Sequence, residues 1–168
     1  MNLQIQNTQQ QYMTFYLGQH LFGISILLVR EINQNLDITP VSKVPKYIRG
    51  VLNLRGQVVT VMDLAKRLSF DGAEGSQDAS CIVLKTNTEI DSSDISHSLD
   101  DRTLADKVGL YVDRIGDVLN IASKEIIRTP TRDSKLDKRF IKGVVRLNDQ
   151  LLILLNLKEV LNPEQKGE

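Results

Sequence analysis

The chain of 168 residues carries 21 basic and 21 acidic side chains, and its length is enough for one substantial core or two small cores that share an interface. The formal net charge of zero argues against a polyanion as the default partner, because nucleic-acid-binding proteins usually carry a clear basic excess. The single cysteine excludes an internal disulfide and fits a reducing compartment. Since the sequence has neither a signal peptide nor a run of membrane-spanning length, we expect a cytoplasmic protein.

The first elements in chain order are a polar tail and a β-hairpin. Residues 1–11 are rich in glutamine and are expected to form a flexible tail. Apolar residues alternate with polar ones over 13–17, and a second run of this kind covers 21–26, which predicts two strands joined by a turn. Pro40 then makes the segment 38–44 an edge strand, because proline cannot donate to a central ladder.

A helix start and a second hairpin follow. Pro45 suits the first position of a short helix, which Gly50 would end. Two short apolar runs, 51–54 and 58–62, are rich enough in β-branched residues to be strands. We therefore predict a hairpin that is closed by the two residues between these runs.

The turn of this hairpin is Arg55-Gly56, and the whole segment occurs twice in the chain. Glycine supplies the positive φ that a two-residue turn needs, whereas arginine does not. Residues 141–157 align with 48–64 at a constant offset, with six identities in seventeen positions. The second turn is Asn148-Asp149, whose residue types tolerate left-handed conformations, so that hairpin closes without an arginine. Because the architecture does not require Arg55, we favour a role in recognition over an exposed turn charge.

The predicted elements of the second unit repeat those of the first. Strands are expected over 79–86 and 108–112, and the polar connection 87–107 between them is long for a compact domain and is expected to be mobile. A closing helix is predicted at 157–161, followed by a tail at 162–168.

The basic charges are concentrated in one segment, which supports an alternative function. Residues 124–146 carry eight basic side chains against three acidic ones. A β-barrel protein that binds single-stranded nucleic acid could use such a segment. However, those sites combine basic residues with stacking aromatic side chains, and this segment contains only Phe140.

No arrangement of residues predicts an enzyme or a cofactor site. The glycines are not spaced as a phosphate-binding loop, and the acidic residues of 87–107 lack the spacing of a calcium loop, so we expect them to be solvated. Three carboxylates that could do acid–base chemistry, Asp63, Asp113 and Asp117, are each expected to end a strand. Cys81 lies in an apolar run and is expected to be a buried structural residue.

Three segments together carry a resemblance to a known family: Ile48–Leu64, which contains Gly-Val-x-Asn-Leu-Arg-Gly, Leu28–Ile32 before it, and Val108–Asp113 after it. They closely resemble the CheW family of chemotaxis coupling proteins, over nearly the whole chain. The resemblance implies a mainly β fold of two SH3-like five-stranded β-barrel subdomains that share a hydrophobic core, with short helices. The expected bounds are a single domain at 12–161, subdomain 1 at about 12–70 plus closing elements, and subdomain 2 at about 79–156.

The resemblance also implies a non-catalytic adaptor without cofactor or metal. Such an adaptor joins the cytoplasmic signalling tip of chemoreceptors, the methyl-accepting chemotaxis proteins, to the CheW-like regulatory domain of the histidine kinase CheA. It implies recruitment to membrane-associated receptor arrays without insertion into the membrane, and no nucleic-acid partner. The receptor groove is expected between the two subdomains, and the kinase-contact residues stay unassigned. The positions that match family residues implicated in receptor coupling are Ile26, Val29, Glu31, Gly50, Arg55 and Gly56.

The chemistry of these residues agrees in part with that role. A helical receptor tip in a groove needs apolar anchors, which Val29 provides, and oriented polar groups, which Arg55 provides with its fork of donors. Glu31 either holds Arg55 in place or is an unconnected surface charge, and the sequence leaves both readings open.

Two features depart from the family pattern. The connection 87–107 is longer than coupling proteins typically carry between these strands. Arg132 stands where an apolar residue is expected for a second contact with CheA, which weakens the expectation of that contact. A coupling protein of a type IV pilus or another non-flagellar pathway is a further alternative with the same fold.

Overall fold

The chain folds into two β-sheets and a few short helices. The computed structural model describes residues 8–70, 72, 76–93, 101–128 and 136–163, so Arg132 lies outside the described residues. The strands over these residues are β1 (Gln9–Leu17), β2 (His20–Ser25), β3 (Val29–Asn33), β4 (Ile38–Thr39), β5 (Ile48–Leu54), β6 (Gln57–Asp63), β7 (Ser80–Leu84), β8 (Val108–Val112), β9 (Arg114–Ala122), β10 (Ile126–Ile127), β11 (Ile141–Arg146) and β12 (Leu151–Leu155). The helices are α1 (Leu64–Arg67), α2 (Asn87–Asp91) and α3 (Leu157–Leu161), with 3-10 turns at Ile26–Leu28, Ser123–Glu125 and Lys138–Phe140. The predicted mainly β class is confirmed, and within the described part of the chain no helix is long and apolar enough to cross a membrane.

The two sheets have the same internal order, as expected for a duplicated chain. Sheet A runs β10-β11-β12-β2-β1-β9, and sheet B runs β4-β5-β6-β8-β7-β3. The six strands of each sheet occupy equivalent positions, and each sheet contains one parallel pair at its centre. Each sheet has one strand more than the five expected, because a strand of two residues, β10 or β4, is added at its edge.

The first hairpin of each repeat belongs to the sheet of the other repeat. Hairpin β1–β2 joins the C-terminal strands through the parallel pairing of Leu21 with Leu152, and hairpin β7–β8 joins the N-terminal strands through the pairing of Thr60 with Val108. Each sheet therefore contains strands from both of the expected subdomains, at about 12–70 and about 79–156. The hairpins can be exchanged because each repeat presents the same kind of strand edge to its partner.

Most central strands are buried on both faces. In β7, Cys81 and Val83 pack in a small apolar cluster that sheet B encloses, whereas Ile82 and Leu84 point into a central cluster between the sheets. Residues of both sheets form this central cluster, which confirms the predicted shared core. Burial on two faces explains why these strands appear in the sequence as continuous apolar runs.

Each sheet is strongly curled. Ile121 of β9 and Val145 of β11 pack in one cluster with Tyr12 and Leu152 of the intervening strands, although three strands separate β9 from β11 in the sheet order. A flat sheet would hold those two strands far apart, because neighbouring strands are about 4.8 Å from one another. The curling is consistent with the barrel-like subdomains expected from the sequence.

The predicted helix between Pro45 and Gly50 is wrong. The Ile48 N–H donates to the Pro45 carbonyl at 3.0 Å, which makes a single turn, and β5 begins at Ile48. The pairing of Ile48 with Met62 starts so soon after the proline that no room is left for a helix. Gly50 lies within the strand at φ 146°, where a Cβ atom would lie 2.0 Å from the Thr39 carbonyl oxygen, so glycine is required for the close approach of β4.

The N-terminal tail is shorter than expected. Strand β1 begins at Gln9, and Gln9 to Gln11 pair with Ala122 to Asn120 of β9. The polar composition of this stretch fits the position, since β1 extends there beyond the buried part of the sheet. Residues 1–7 lie outside the described part.

The connection 87–107 is structured over the residues that can be described, which corrects the expectation of a mobile, solvated loop. Helix α2 begins with a capping box, in which the Thr86 N–H donates to Glu89 and the Glu89 N–H donates to Thr86. Its Ile90 side chain is buried in the central cluster. The Asp101 carboxylate is 6% exposed and accepts the first two backbone N–H groups of α3, each at 2.8 Å. The loop therefore joins the sheet-B end of the molecule to the C-terminal helix.

We predict that the exchanged hairpins allow the chain to be reassembled from two pieces. When residues 1–74 and 75–168 are produced as separate chains in one cell, they should co-purify as a one-to-one complex with the circular dichroism spectrum of the intact protein, since each piece lacks two central strands of one sheet. A first piece without the hairpin, residues 26–74, should associate more weakly, because the pairings of β6 with β8 and of β3 with β7 remain while sheet A lacks β1 and β2. Independent folding of both pieces without association would contradict the exchange.

We also predict that Asp101 stabilises the native state. Replacing it by alanine leaves buried N–H groups of α3 without their acceptor, so Asp101→Ala should lower the free energy of unfolding by about 1–3 kcal/mol in urea denaturation. The control is Asp91→Ala, because the Asp91–Arg102 pair is exposed, and exposed pairs contribute up to about 1 kcal/mol. Equal losses in the two variants would show that Asp101 is not a structural cap.

Candidate protein-binding site

The hairpin β5–β6 is closed by a two-residue turn in which both residues are left-handed. Arg55 has φ 50° and Gly56 has φ 81°, which is the type I′ geometry that fits the twist of a hairpin. The Gly56 N–H donates to the Asn53 side chain at 3.0 Å. Non-glycine residues in this region cost of the order of 1 kcal/mol or more, so arginine stands here against the preference of the backbone.

The second hairpin, β11–β12, closes differently from the prediction. The Leu147 N–H donates to the Gln150 carbonyl at 2.9 Å, and neither Asn148 nor Asp149 has a positive φ. The two turns have the same length, because Arg146 pairs with Leu151 as Asn53 pairs with Val58. A two-residue turn at this position can therefore close without left-handed residues. The prediction that this hairpin needs no arginine is still confirmed.

Arg55 forms an ion pair with Glu31. A terminal nitrogen of the Arg55 guanidinium donates to the Glu31 carboxylate, and the side chains are 75% and 28% exposed. The pair joins the hairpin tip to β3, although β7 and β8 separate β3 from β6 in sheet B. This contact decides the question left open by the sequence, since Glu31 does hold Arg55.

The pair lies at the rim of a small depression at one end of sheet B. Arg30, Glu31, Arg55, Gln57 and Lys107 form its rim, and Leu54, Val59 and Val83 form its floor. The Lys107 ammonium donates to the Gln57 side chain, and the Arg30 guanidinium donates to Glu89 of α2 at 2.5 Å. We call this feature the barrel-end depression. Three cations surround an apolar floor there, an arrangement suited to binding a polar group from another protein.

The structure brings together only some of the predicted site residues. Glu31, Arg55 and Gly56 meet at the hairpin tip. Ile26 begins the 3-10 turn before β3, and Val29 is the first residue of β3. Both are partly buried, and Val29 packs against the central cluster. Gly50 is buried under β4, about 16 Å along the strand from the turn, so its role is to allow packing and not to present a contact surface.

A second depression contains none of the predicted site residues. A cavity of about 520 Å³ lies where the first residues of β9, in sheet A, approach β7 of sheet B. Its lining residues are Gln34, Gln77, Asp78, Ala79, Ser80, Arg114 and Ile115. The barrel-end depression is built by residues of sheet B and of the connections that flank its strands, so the two features are separate.

The comparisons with known proteins can be set beside this geometry. The family model described as "CheW-like domain" matches residues 11–165. The chain belongs to the CheW-like domain family. Members of this family are scaffolding adaptors and not enzymes, and the chain is accordingly a chemotaxis coupling protein.

Relatives of this CheW-like chain align over nearly its whole length. The chemotaxis protein CheW of Rhizobium meliloti (strain 1021) is 28% identical over 160 residues, which cover 95% of this chain and 92% of that protein. The CheW protein of Bacillus subtilis (strain 168) is 29% identical over 157 residues, 94% of this chain and 90% of that protein. The crystal structure of the scaffolding protein TtCheW from Thermoanaerobacter tengcongensis superposes with a TM-score of 0.76 at 26% identity, covering 96% and 97% of the two chains.

The nucleic-acid alternative loses its aromatic residue in this CheW-like fold. Phe140 is 4% exposed, and its ring is covered by the guanidinium groups of Arg67 and Arg139 at 4.9 and 4.6 Å. A base cannot stack on a ring that is already covered on its faces. The basic segment 124–146 therefore lacks the stacking platform that this alternative needs.

The carboxylates considered for acid–base chemistry have structural roles in two cases. Asp63 ends β6, caps α1 through the Lys66 N–H at 3.2 Å and pairs with Arg49 at 2.8 Å. Asp113 follows β8 and accepts the Gly18 N–H at 2.6 Å. Asp117 does not end a strand as expected, since it lies within β9 at a register shift.

Sequence reasoning missed Arg30, Gln57 and Lys107. Arg30 stands next to the predicted residue Glu31, but successive strand residues normally point to opposite faces. Both residues line the depression because the register of β3 shifts between Val29 and Glu31, which the sequence does not show. Lys107 ends the long polar connection, and only the backbone contact of Thr60 with the Lys107 carbonyl, at 3.1 Å, places it beside the hairpin. A search for charges immediately flanking predicted strands would have found Lys107 but not Arg30, which lies within β3.

Cys81 is a buried structural residue, as predicted. It is fully buried, and burial together with the nearby Glu31 carboxylate raises the pKa of its thiol from 9.0 to about 12. The thiol is therefore neutral and unreactive in the native protein at physiological pH.

This raised pKa predicts a loss of stability in alkali. Below pH 9 the thiol is protonated in both states and contributes no pH dependence, whereas above pH 9 only the unfolded state ionises, up to the native pKa of about 12. The free energy of unfolding should fall by about 1 kcal/mol between pH 8 and pH 10 through this group alone. Urea denaturation of the wild type and of Cys81→Ala at both pH values measures the contribution, because lysine and tyrosine titration is common to both proteins. The same pH dependence in both would contradict it.

Proposed function

We propose that this protein joins the cytoplasmic signalling tip of chemoreceptors to the histidine kinase CheA, in the cytoplasm and at membrane-associated receptor arrays. Membership of the CheW-like family and the likeness to the scaffolding protein TtCheW support an adaptor. The proposal adds that the two partners of this adaptor are the receptor and the kinase.

One observation carries the proposal, namely an exposed arginine at a turn position that disfavours it. The second repeat shows that this scaffold can close the equivalent hairpin without arginine and without left-handed residues. An arginine at φ 50°, held by Glu31 and with three quarters of its side chain exposed, is thus explained by what it contacts outside the chain. Arginine is enriched among the residues that contribute most to binding at protein interfaces.

The proposed receptor contact uses Arg55 and Glu31 as the polar centre. Ile26, in the 3-10 turn before β3, and Val29, at the start of β3, flank this centre and supply apolar surface. Gly56 and Gly50 give the backbone the shape that the hairpin needs. In this proposal CheA is bound through its CheW-like regulatory domain at other barrel ends, whose residues are not assigned. The same geometry would serve a coupling protein of a type IV pilus pathway.

The replacement Arg55→Asn separates recognition from stability. Asparagine tolerates the left-handed backbone better than arginine does, so the free energy of unfolding should stay equal or rise by up to about 1 kcal/mol, even though the ion pair is lost. Affinity for a purified receptor signalling-tip fragment should fall at least about tenfold, which corresponds to 1.4 kcal/mol. Isothermal titration and urea denaturation of the same sample measure both quantities.

The matched control is Arg146→Asn, which removes an exposed arginine near the tip of the second hairpin. This variant should bind the receptor fragment as the wild type does. Unchanged affinity of Arg55→Asn, or an equal loss in both variants, would remove the hairpin turn from the proposed contact.

A further inference from the structure

The long connection 87–107 contributes directly to the barrel-end depression. Its last residue, Lys107, lies on the rim beside Gln57, and Glu89 of α2 holds Arg30 on the opposite side. The charged groups at this rim and those paired with them are three cations and two carboxylates: Arg30, Arg55 and Lys107 against Glu31 and Glu89. The local balance is positive in a chain whose formal net charge is zero.

The floor of the depression strengthens any charge interaction made above it. Val59 and Val83 are 1% and 2% exposed, so the floor is closed to water and a group that enters between the cations is shielded from solvent on that side. Charge pairs are screened less when water is removed from one side than they are in open solvent. An anionic group that reaches the floor therefore interacts more strongly with the cations of the rim than a group in open solvent does.

The size of the depression limits the kind of anion that can bind. Its volume is about 20 Å³, which is roughly the room of one water molecule. A depression of this size cannot enclose a nucleotide, so only the tip of a side chain reaches its floor. None of the described residues that line it is an aromatic residue on which a base could stack.

We propose that Lys107 and Arg30, together with Arg55, receive an acidic side chain of the chemoreceptor signalling tip, and that the connection 87–107 thereby helps to select the receptor. The inference rests on the proposed function, because the depression shares Arg55 and Glu31 with the proposed receptor contact. It adds two specificity-determining residues, one of which comes from the connection that is longer than expected for the family. Neither cation was found by sequence reasoning.

The test compares charge variants of the full-length protein in binding to a receptor signalling-tip fragment. Lys107→Glu should weaken binding at least tenfold, Lys107→Gln should weaken it severalfold, and Lys107→Arg should retain the affinity. The wild-type affinity should decrease with added salt, and this dependence should be smaller in Lys107→Gln. Lys124→Glu, which places the same change at an exposed lysine of the 3-10 turn before β10, is the control and should bind as the wild type does.

The outcomes separate this inference from the proposed function. If Arg55→Asn weakens receptor binding but Lys107→Glu stays within twofold of Lys124→Glu, the acidic-group site is wrong while the receptor contact stands. If Lys107→Glu weakens binding only to the regulatory domain of CheA, the site belongs to the kinase and the receptor assignment is overturned. If the wild type binds no receptor fragment, both proposals fail. Circular dichroism of each variant checks its folding, and the loss expected for Lys107→Gln keeps the test decisive should Lys107→Glu not fold.

A double-mutant cycle identifies the partner group. Each Asp and Glu of the receptor fragment is changed to its amide and titrated against the wild type and Lys107→Gln. One acidic position should lose the sensitivity to Lys107→Gln that the others keep. Equal sensitivity at all acidic positions would overturn the recognition of a defined carboxylate.

Discussion

The parallel pairing of β2 with β12 and of β6 with β8 is the constraint on which the rest of the structure depends. Each pairing joins a hairpin from one repeat to the last strand of the other, so neither sheet is complete until strands far apart in the sequence have met. Each seam places a glycine beside the partner strand. A Cβ atom on Gly23 would lie 3.2 Å from the Leu152 and Leu154 side chains of β12, and a Cβ atom on Gly109 would lie 3.4 Å from the Val59 side chain of β6. Within the hairpin β7–β8 the fit is closer, since the same Cβ atom on Gly109 would lie 2.3 Å from the Cys81 sulfur.

This constraint also positions the candidate site. Because β8 enters sheet B beside β6, the hairpin β5–β6 is supported along its inner strand, and the residue before β8 is Lys107. Because β7 enters with β8, it pairs with β3 and carries Glu31 and Arg30 round the curled sheet toward the hairpin tip. The charged groups of the barrel-end depression thus come from both repeats of the chain, and their meeting is a consequence of the hairpin exchange.

Most secondary-structure elements could be predicted from the sequence, because they leave local signals. Strands buried on both faces appear as apolar runs, a proline marks an edge strand, and a glycine marks the hairpin turn. The edge strand ended before Pro40, and helix α3 lies at 157–161 where it was predicted. The predictions that were wrong concern residues whose hydrogen-bonding partners lie far away in the sequence. The sequence predicts a solvated Asp101, because the α3 N–H group that donates to it lies 56 residues away along the chain. It predicts a tail at Gln9, because the strand segment that pairs with β9 there has no apolar pattern. The ion pair of Arg55 with Glu31 could be considered from residue chemistry, but the sheet assignment of β1–β2 and the approach of Lys107 could not.

The energetics of the hairpin turn explain how a binding residue can be kept in an unfavourable position. Holding Arg55 at φ 50° costs of the order of 1 kcal/mol, and an exposed ion pair such as that with Glu31 returns up to about 1 kcal/mol. The two effects nearly cancel, so the arginine adds little to the stability of the fold. What it adds is order, since the pairing restricts a long side chain before a partner arrives and so reduces the entropy lost on binding. The second hairpin, with Asn148 and Asp149 at its tip, has neither the cost nor the compensating pair. The duplicated fold therefore has two equivalent hairpin tips, and of these the tip of β5–β6 presents an ordered arginine. This arginine distinguishes that tip as a recognition surface.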